Sequence, residues 1–68
     1  MSEMLGNFGE RLLRLPEVKK KVGLGRPEIY RRMKVDLFPQ SRILGPRCVV
    51  WVESEIDSWI RDVSRRPN

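Results

Sequence analysis

Three observations in the sequence predict an α+β fold. Two short helix-patterned segments, about 16–22 and 26–35, flank Gly23-Leu24-Gly25. Two β-patterned runs within 41–52 flank Gly45-Pro46. Ile56, Trp59, Ile60 and Val63 fall at i, i+3, i+4 and i+7, the stripe of a third helix. Together they describe a small winged helix-turn-helix, with a short β-hairpin wing and a C-terminal helix.

Residues 1–10 hold Gly6 and Gly9 and no apolar period, which predicts a flexible N-terminal tail. Arg11 to Leu15 is a strand or an extended lead-in. Pro16 suits the first turn of a helix, and Glu17 beside it favours the positive end of the helix dipole. Val18 and Val22 share one face, and Gly23 accepts the left-handed conformation that ends the helix. The second helix is capped by Gly25 or Arg26, with Pro27 in its first turn. Ile29 and Met33 point one way with Tyr30 at their flank; Glu28, Arg31 and Val35 point the other. Phe38 is expected in the core, and Pro39 forbids continuation of the helix. Arg47 to Val52 is rich in β-branched and aromatic residues, and Gly45-Pro46 is its turn signal. Ser54 is expected to cap the third helix, with Asp57 three residues on as in a capping box. Ser64 to Asn68 is basic and proline-bearing, which predicts fraying. The expected organisation is a tail over 1–10, one domain over 11–63 and a frayed basic C-terminus over 64–68.

Sixty-eight residues make one domain at most, and a chain this short buries only about 60% of its unfolded surface. A hydrophobic share of 40% supports a small core. No histidine is present and cysteine occurs once, as Cys48. A Ser-His-Asp triad, a His-Cys dyad and the usual structural zinc sets are therefore excluded. Gly23-Leu24-Gly25 lacks the third glycine and the Lys-Ser/Thr ending of a phosphate loop. The expectation is a protein that is not an enzyme, with no cofactor, no metal and no small-molecule substrate. No run of about 18 apolar residues spans a bilayer, and Met1 to Glu10 is not patterned as a signal peptide. A lone cysteine fits a reducing compartment, so a cytoplasmic, nucleoid-associated location is expected.

The net charge is +5, and it is unevenly placed. Residues 11–34 carry nine bases against two acids, more positive than the chain as a whole. Such a block suits a polyanion; the alternative is a solvated face that keeps a small protein soluble. A major groove admits one helix, which must expose polar groups to base edges and place cations at the phosphates. The expected contacts with double-stranded DNA are Arg26, Glu28, Tyr30, Arg31, Arg32 and Lys34 on helix two, and Arg42 and Arg47 on the wing. Glu28 either accepts from a cytosine N4 or repels phosphate. Tyr30 is expected to be half-buried with its hydroxyl at the rim. Lys19, Lys20 and Lys21 spread around two-thirds of a turn, and contact and plain solvation both stand open for them. Trp51 and Trp59 fit apolar stripes and are expected in the core rather than as stacking platforms.

An ordered set of residues resembles a family. It runs Arg11-Leu-Leu-Arg-Leu-Pro-Glu-Val18, Gly23-Leu24, Ile29-Tyr30-Arg31, Phe38-Pro39, Leu44-Gly45-Pro46-Arg47, Val49-x-Trp51 and Ser54-Glu55-Ile56-x-x-Trp59-Ile60. The set is similar to that of the AlpA-like phage regulatory proteins, grouped with excisionase-like, MerR-related small winged-helix proteins. It spans about Arg11 to Arg61. The resemblance implies DNA binding in a prophage or integrative element, as a transcriptional regulator or as a directionality factor that bends DNA for an integrase. A third alternative is a basic interaction module with an acidic protein partner. The chain departs from the family pattern at Gly25, where Ser or Thr is usual, at Asp36, where Gly is frequent, and at Pro27 and Glu28, where small hydroxyl residues are common.

No dimerisation helix is evident, so cooperative or tandem binding is one route to specificity. The hairpin bears on this. Val49 and Trp51 share one face of the strand, Cys48, Val50 and Val52 the other, and both are apolar. Either the strand twists with partial burial on each side, or Cys48 and Val50 meet another protein, a second copy or an integrase.

Overall fold

The computed structural model describes residues 10–66, so Met1 to Gly9 of the expected tail and Pro67 and Asn68 of the expected frayed end lie outside the described residues. The chain forms strand β1 (Leu12–Leu13), helix α1 (Leu15–Val22), helix α2 (Arg26–Lys34), strands β2 (Arg42–Gly45) and β3 (Cys48–Val52), and helix α3 (Glu53–Ser64). The strands make one antiparallel sheet in the order β1-β3-β2. Leu12 pairs with Val52 and Leu13 with Trp51 on one side of β3; Arg42 pairs with Val50 and Ile43 with Val49 on the other. This is the winged-helix arrangement that the sequence predicts.

Each helix end follows from local chemistry. Helix α1 has Pro16 in its first turn and Gly23 beyond its last, at φ 73°, where the Gly23 N–H donates to Lys19 O at 2.8 Å. Helix α2 again has a proline near its start, and Gly25 is its N-cap. It closes with a pair of bonds: Asp36 N–H donates to Met33 O at 3.1 Å, and Leu37 N–H to Arg32 O at 2.8 Å. That pairing is a Schellman motif, and it places Asp36 in the left-handed region at φ 63°. Asp36 thus takes a positive φ at the position where glycine is frequent in the family that the sequence resembles.

The core is Leu13, Val18, Ile29, Phe38, Trp51 and Ile56, with Met33, Leu24, Trp59 and Ile60 packed against it. Every element but β2 contributes. Trp51 is fully buried, and its indole N–H donates to Pro39 O at 3.1 Å. The indole of Trp59 donates to Leu37 O at 3.0 Å, and its ring meets Phe38 edge-on with centroids 4.8 Å apart. Both tryptophans are packing residues, and both pin the segment that joins α2 to the wing. A buried indole N–H needs such a partner, and these carbonyls belong to no helix or strand.

Three expectations are corrected. Ser54 does not cap α3. Strand β3 runs directly into the helix, so Val52 is the N-cap and Glu53 N–H donates back to Arg11 O at 2.8 Å. The Ser54 hydroxyl instead donates to the Glu10 carboxylate at 2.8 Å. The wing turn is displaced by one residue: Gly45 closes β2, and Pro46 and Arg47 are its central pair. Pro46 presets the first position, and Arg47 takes the left-handed second position at φ 61°. Third, Val50 is 3% exposed in the single chain and Cys48 is half-buried, so the outer side of β3 is not an open apolar face. The exposed apolar side chains of the hairpin are Ile43 and Leu44 on the edge strand β2. Helix α3 reaches Ser64, the residue at which the basic C-terminal segment is expected to begin, and Ser64 Oγ donates to Ile60 O.

Candidate nucleic-acid interface

The helical stripe Ile29–Met33 turns α2 inward and leaves Arg26, Arg31 and Lys34 exposed on its outside. The outer face is not a uniform array of free cations. Glu28 accepts from Arg31 Nε at 3.1 Å and from Arg32 Nε at 2.6 Å. Spacings of three and four residues bring these side chains together on one helix face. The two guanidiniums lower the Glu28 pKa to about 2, first through the hydrogen bond from Arg31. Glu28 also raises the Arg31 pKa. Of the two sequence readings for Glu28, neither anticipates this fork, in which one carboxylate fixes the aim of two arginines.

Arg26 is arranged differently. Its guanidinium lies 5.2 Å from the centroid of the Tyr30 ring, one turn along. Tyr30 is half-buried, and its ring meets Trp51 in a T-shaped contact at 6.2 Å. A line of contacts thus runs from the core indole to a surface cation, which restricts the guanidinium without neutralising it.

The wing arginines part company. Arg42, at the base of the hairpin, pairs with Glu55 of α3 at 2.9 Å and donates to Gln40 O at 2.7 Å. It braces the wing against α3. Arg47 sits at the tip, exposed, and makes no ion pair among the described residues. It lines the same cleft as Val49 of β3 and Arg26 and Tyr30 of α2.

Lys21 is also committed to structure. It bridges to Asp57 at 2.7 Å and to Glu53 at 3.1 Å, joining α1 to α3, and both carboxylates raise its pKa, Asp57 most. Lys19 and Lys20 stay exposed on α1.

Of the residues expected from sequence, Arg26, Tyr30 and Arg47 come together around one open cleft of about 410 Å³. Arg31, Arg32 and Lys34 continue along α2, and Arg42 lies apart. A third guanidinium lines the cleft: Arg14, the N-cap residue of α1. Leu15, Pro16 and Val49 form its apolar lining. Sequence reasoning misses Arg14, because nothing local distinguishes it from Arg11, three residues earlier. Only the pairing of β1 with β3 brings it beside the wing.

Comparison with known proteins gives a consistent picture. The family model described as prophage CP4-57 regulatory protein (AlpA) matches residues 11–65. The "DNA-binding transcriptional activator AlpA" of Escherichia coli (strain K12) is 43% identical over 56 residues, which is 74% of this chain and 80% of that one. A protein of Enterobacteria phage P4, described as "Uncharacterized protein ORF88", is 41% identical over 51 residues, 75% of this chain and 58% of that one. No solved structure matches.

Proposed function

The chain belongs to the AlpA family of prophage regulatory proteins, and from that premise we propose that it is a sequence-specific double-stranded DNA-binding transcriptional regulator. Helix α2 lies in the major groove, and the wing over 41–52 rests on the backbone or in the adjacent minor groove. The domain over 11–63 performs this without chemistry of its own. The expected contacts are Arg26, Glu28, Tyr30, Arg31, Arg32 and Lys34 on α2, with Arg47 on the wing; Arg42 acts through the position of the hairpin. The protein acts in the cytoplasm, where its DNA lies.

One observation carries the reading. Arg26 of α2 and Arg47 of the wing tip line one cleft and make no ion pair among the described residues, whereas Arg11, Lys21 and Arg42 are consumed in bridges to other elements and Arg31 and Arg32 share Glu28 within α2. A solvated basic face needs no such division. The relative named as a transcriptional activator favours the regulator over a directionality factor for an integrase.

The test is retention of sheared genomic DNA by the purified protein at near-physiological salt with excess competitor, followed by sequencing. A few discrete sites over promoters are expected. Sites beside an integrase attachment site would instead identify a directionality factor. Uniform or absent retention would remove the proposal in favour of an acidic protein partner. If about five phosphates are neutralised, log K against log salt has a slope near −4 to −5.

A further inference from the structure

Two clefts of similar kind open on this surface, and their charges differ. One is lined by Arg11, Lys20 and Lys21 together with Glu17 and Glu53. Its cations bring their own counter-charges: Arg11 pairs with Glu17 and Glu53, and Lys21 with Glu53. The other is lined by Arg14, Arg26 and Arg47 with no carboxylate among its residues. Three like charges held around one depression repel each other, and an anion seated there relieves that repulsion.

The three guanidiniums come from three elements. Arg14 is the α1 N-cap, and its carbonyl accepts from Glu17 N–H and Val18 N–H, both at 3.1 Å. Arg26 is the first residue of α2 and lies against Tyr30. Arg47 is at the wing tip, in a backbone conformation that an arginine rarely takes. Each is thus fixed at its root, and all three line one cleft.

Resting on the DNA-binding reading above, the geometry points to this cleft as the seat of one backbone phosphodiester of duplex DNA, with Arg14 as its third, unanticipated member. Guanidinium forks match phosphate oxygens. The apolar lining of Leu15, Pro16 and Val49 suits the carbon face of a deoxyribose, which a bare inorganic ion does not offer. A phosphate held here is gripped by the recognition helix, the wing and the start of α1 at once. It sets how α2 sits in the groove, and Arg14 is a positioning contact that reads no base.

The full chain tests this with a short duplex carrying a site recovered by the genomic selection, or a mixed-sequence duplex if none is recovered. Arg14→Gln is expected to weaken binding about tenfold, the scale of a charge-assisted hydrogen bond. It should make the salt slope shallower by about 0.9, while the preferred sequence is unchanged. Arg11→Gln, in the neutralised cleft, serves as control and keeps the slope. Replacing phosphates one at a time by neutral methylphosphonates should find one position that costs the wild type more affinity than it costs Arg14→Gln, which keeps only Arg26 and Arg47 on that phosphate. Arg14→Lys should restore the slope. Wild-type slope and affinity in Arg14→Gln, with duplex binding intact in the wild type, would overturn the seat and leave the DNA reading standing. No duplex binding by the wild type would overturn both. Inorganic phosphate at constant ionic strength, followed by the Arg14 side-chain N–H resonance, separates the two sources of the anion. No shift at millimolar phosphate supports the DNA backbone; saturation there reassigns the cleft to a free anion and overturns the proposal.

Discussion

Glu28 accepts from Arg32 Nε at 2.6 Å, one turn along the exposed face of α2, while it also holds Arg31. A carboxylate therefore stands on the outer face of α2, the face that the proposed function turns toward DNA. It lowers the net charge there and limits the directions in which two arginines reach.

Glu28→Gln should thus bind duplex DNA more tightly and discriminate less between sequences, with a steeper salt slope. Competition of specific against mixed-sequence duplex measures both. Unchanged discrimination would mean that the fork has no part in recognition.

The same fork has a pH signature. The folded-state pKa of Glu28 is about 2, below its ordinary value of 4.5. A depressed carboxylate stabilises the fold above its unfolded pKa, and that contribution is lost as pH falls toward the folded value. Denaturant titrations should show the wild type losing stability relative to Glu28→Gln between about pH 4.5 and 2. Above that window the difference should be flat.

Asp36 and Arg47 both hold positive φ, at 63° and 61°. A side chain there costs backbone energy that glycine avoids, partly offset by the entropy glycine adds to the unfolded chain. Asp36→Gly and Arg47→Gly should each raise stability by up to about 1 kcal/mol. Their effects on DNA should differ: Arg47→Gly weakens binding and flattens the salt slope, and Asp36→Gly leaves both unchanged. Thermal melts with binding isotherms on both variants decide this.

Trp51→Phe removes the bond to Pro39 O and leaves a space in the core. A loss of about 2–3 kcal/mol is expected by chemical denaturation. Lys21→Ala should reduce stability without changing the salt slope, because Lys21 spends its charge on Asp57 and Glu53.

Much of the fold is written in spacing. Val18, Ile29 and Ile56 lie on helical stripes, and each is fully buried. Pro16, Gly23 and Pro27 mark helix ends by chemistry that acts within a few residues. The site was less legible, since a cation's role depends on which acid tertiary structure brings to it. Arg42 and Glu55 are thirteen residues apart in sequence, and Lys21 and Asp57 further still. Arg14 looks like its neighbours until β1 is paired. Ser54 has the features of a cap, but a strand that flows into its helix without a break leaves no capping position for it.

Leu13 and Trp51 are register partners, so the first strand finds its mate nearly forty residues downstream. Until Trp51 has been made, β1 has nothing to pair with and the core lacks its largest member. Closing that loop costs entropy before any contact repays it. Helix α2 and the wing are therefore not expected to fold as an excised fragment. A chain cut before β3 is expected to remain unfolded, as is a nascent chain until Trp51 has been synthesised.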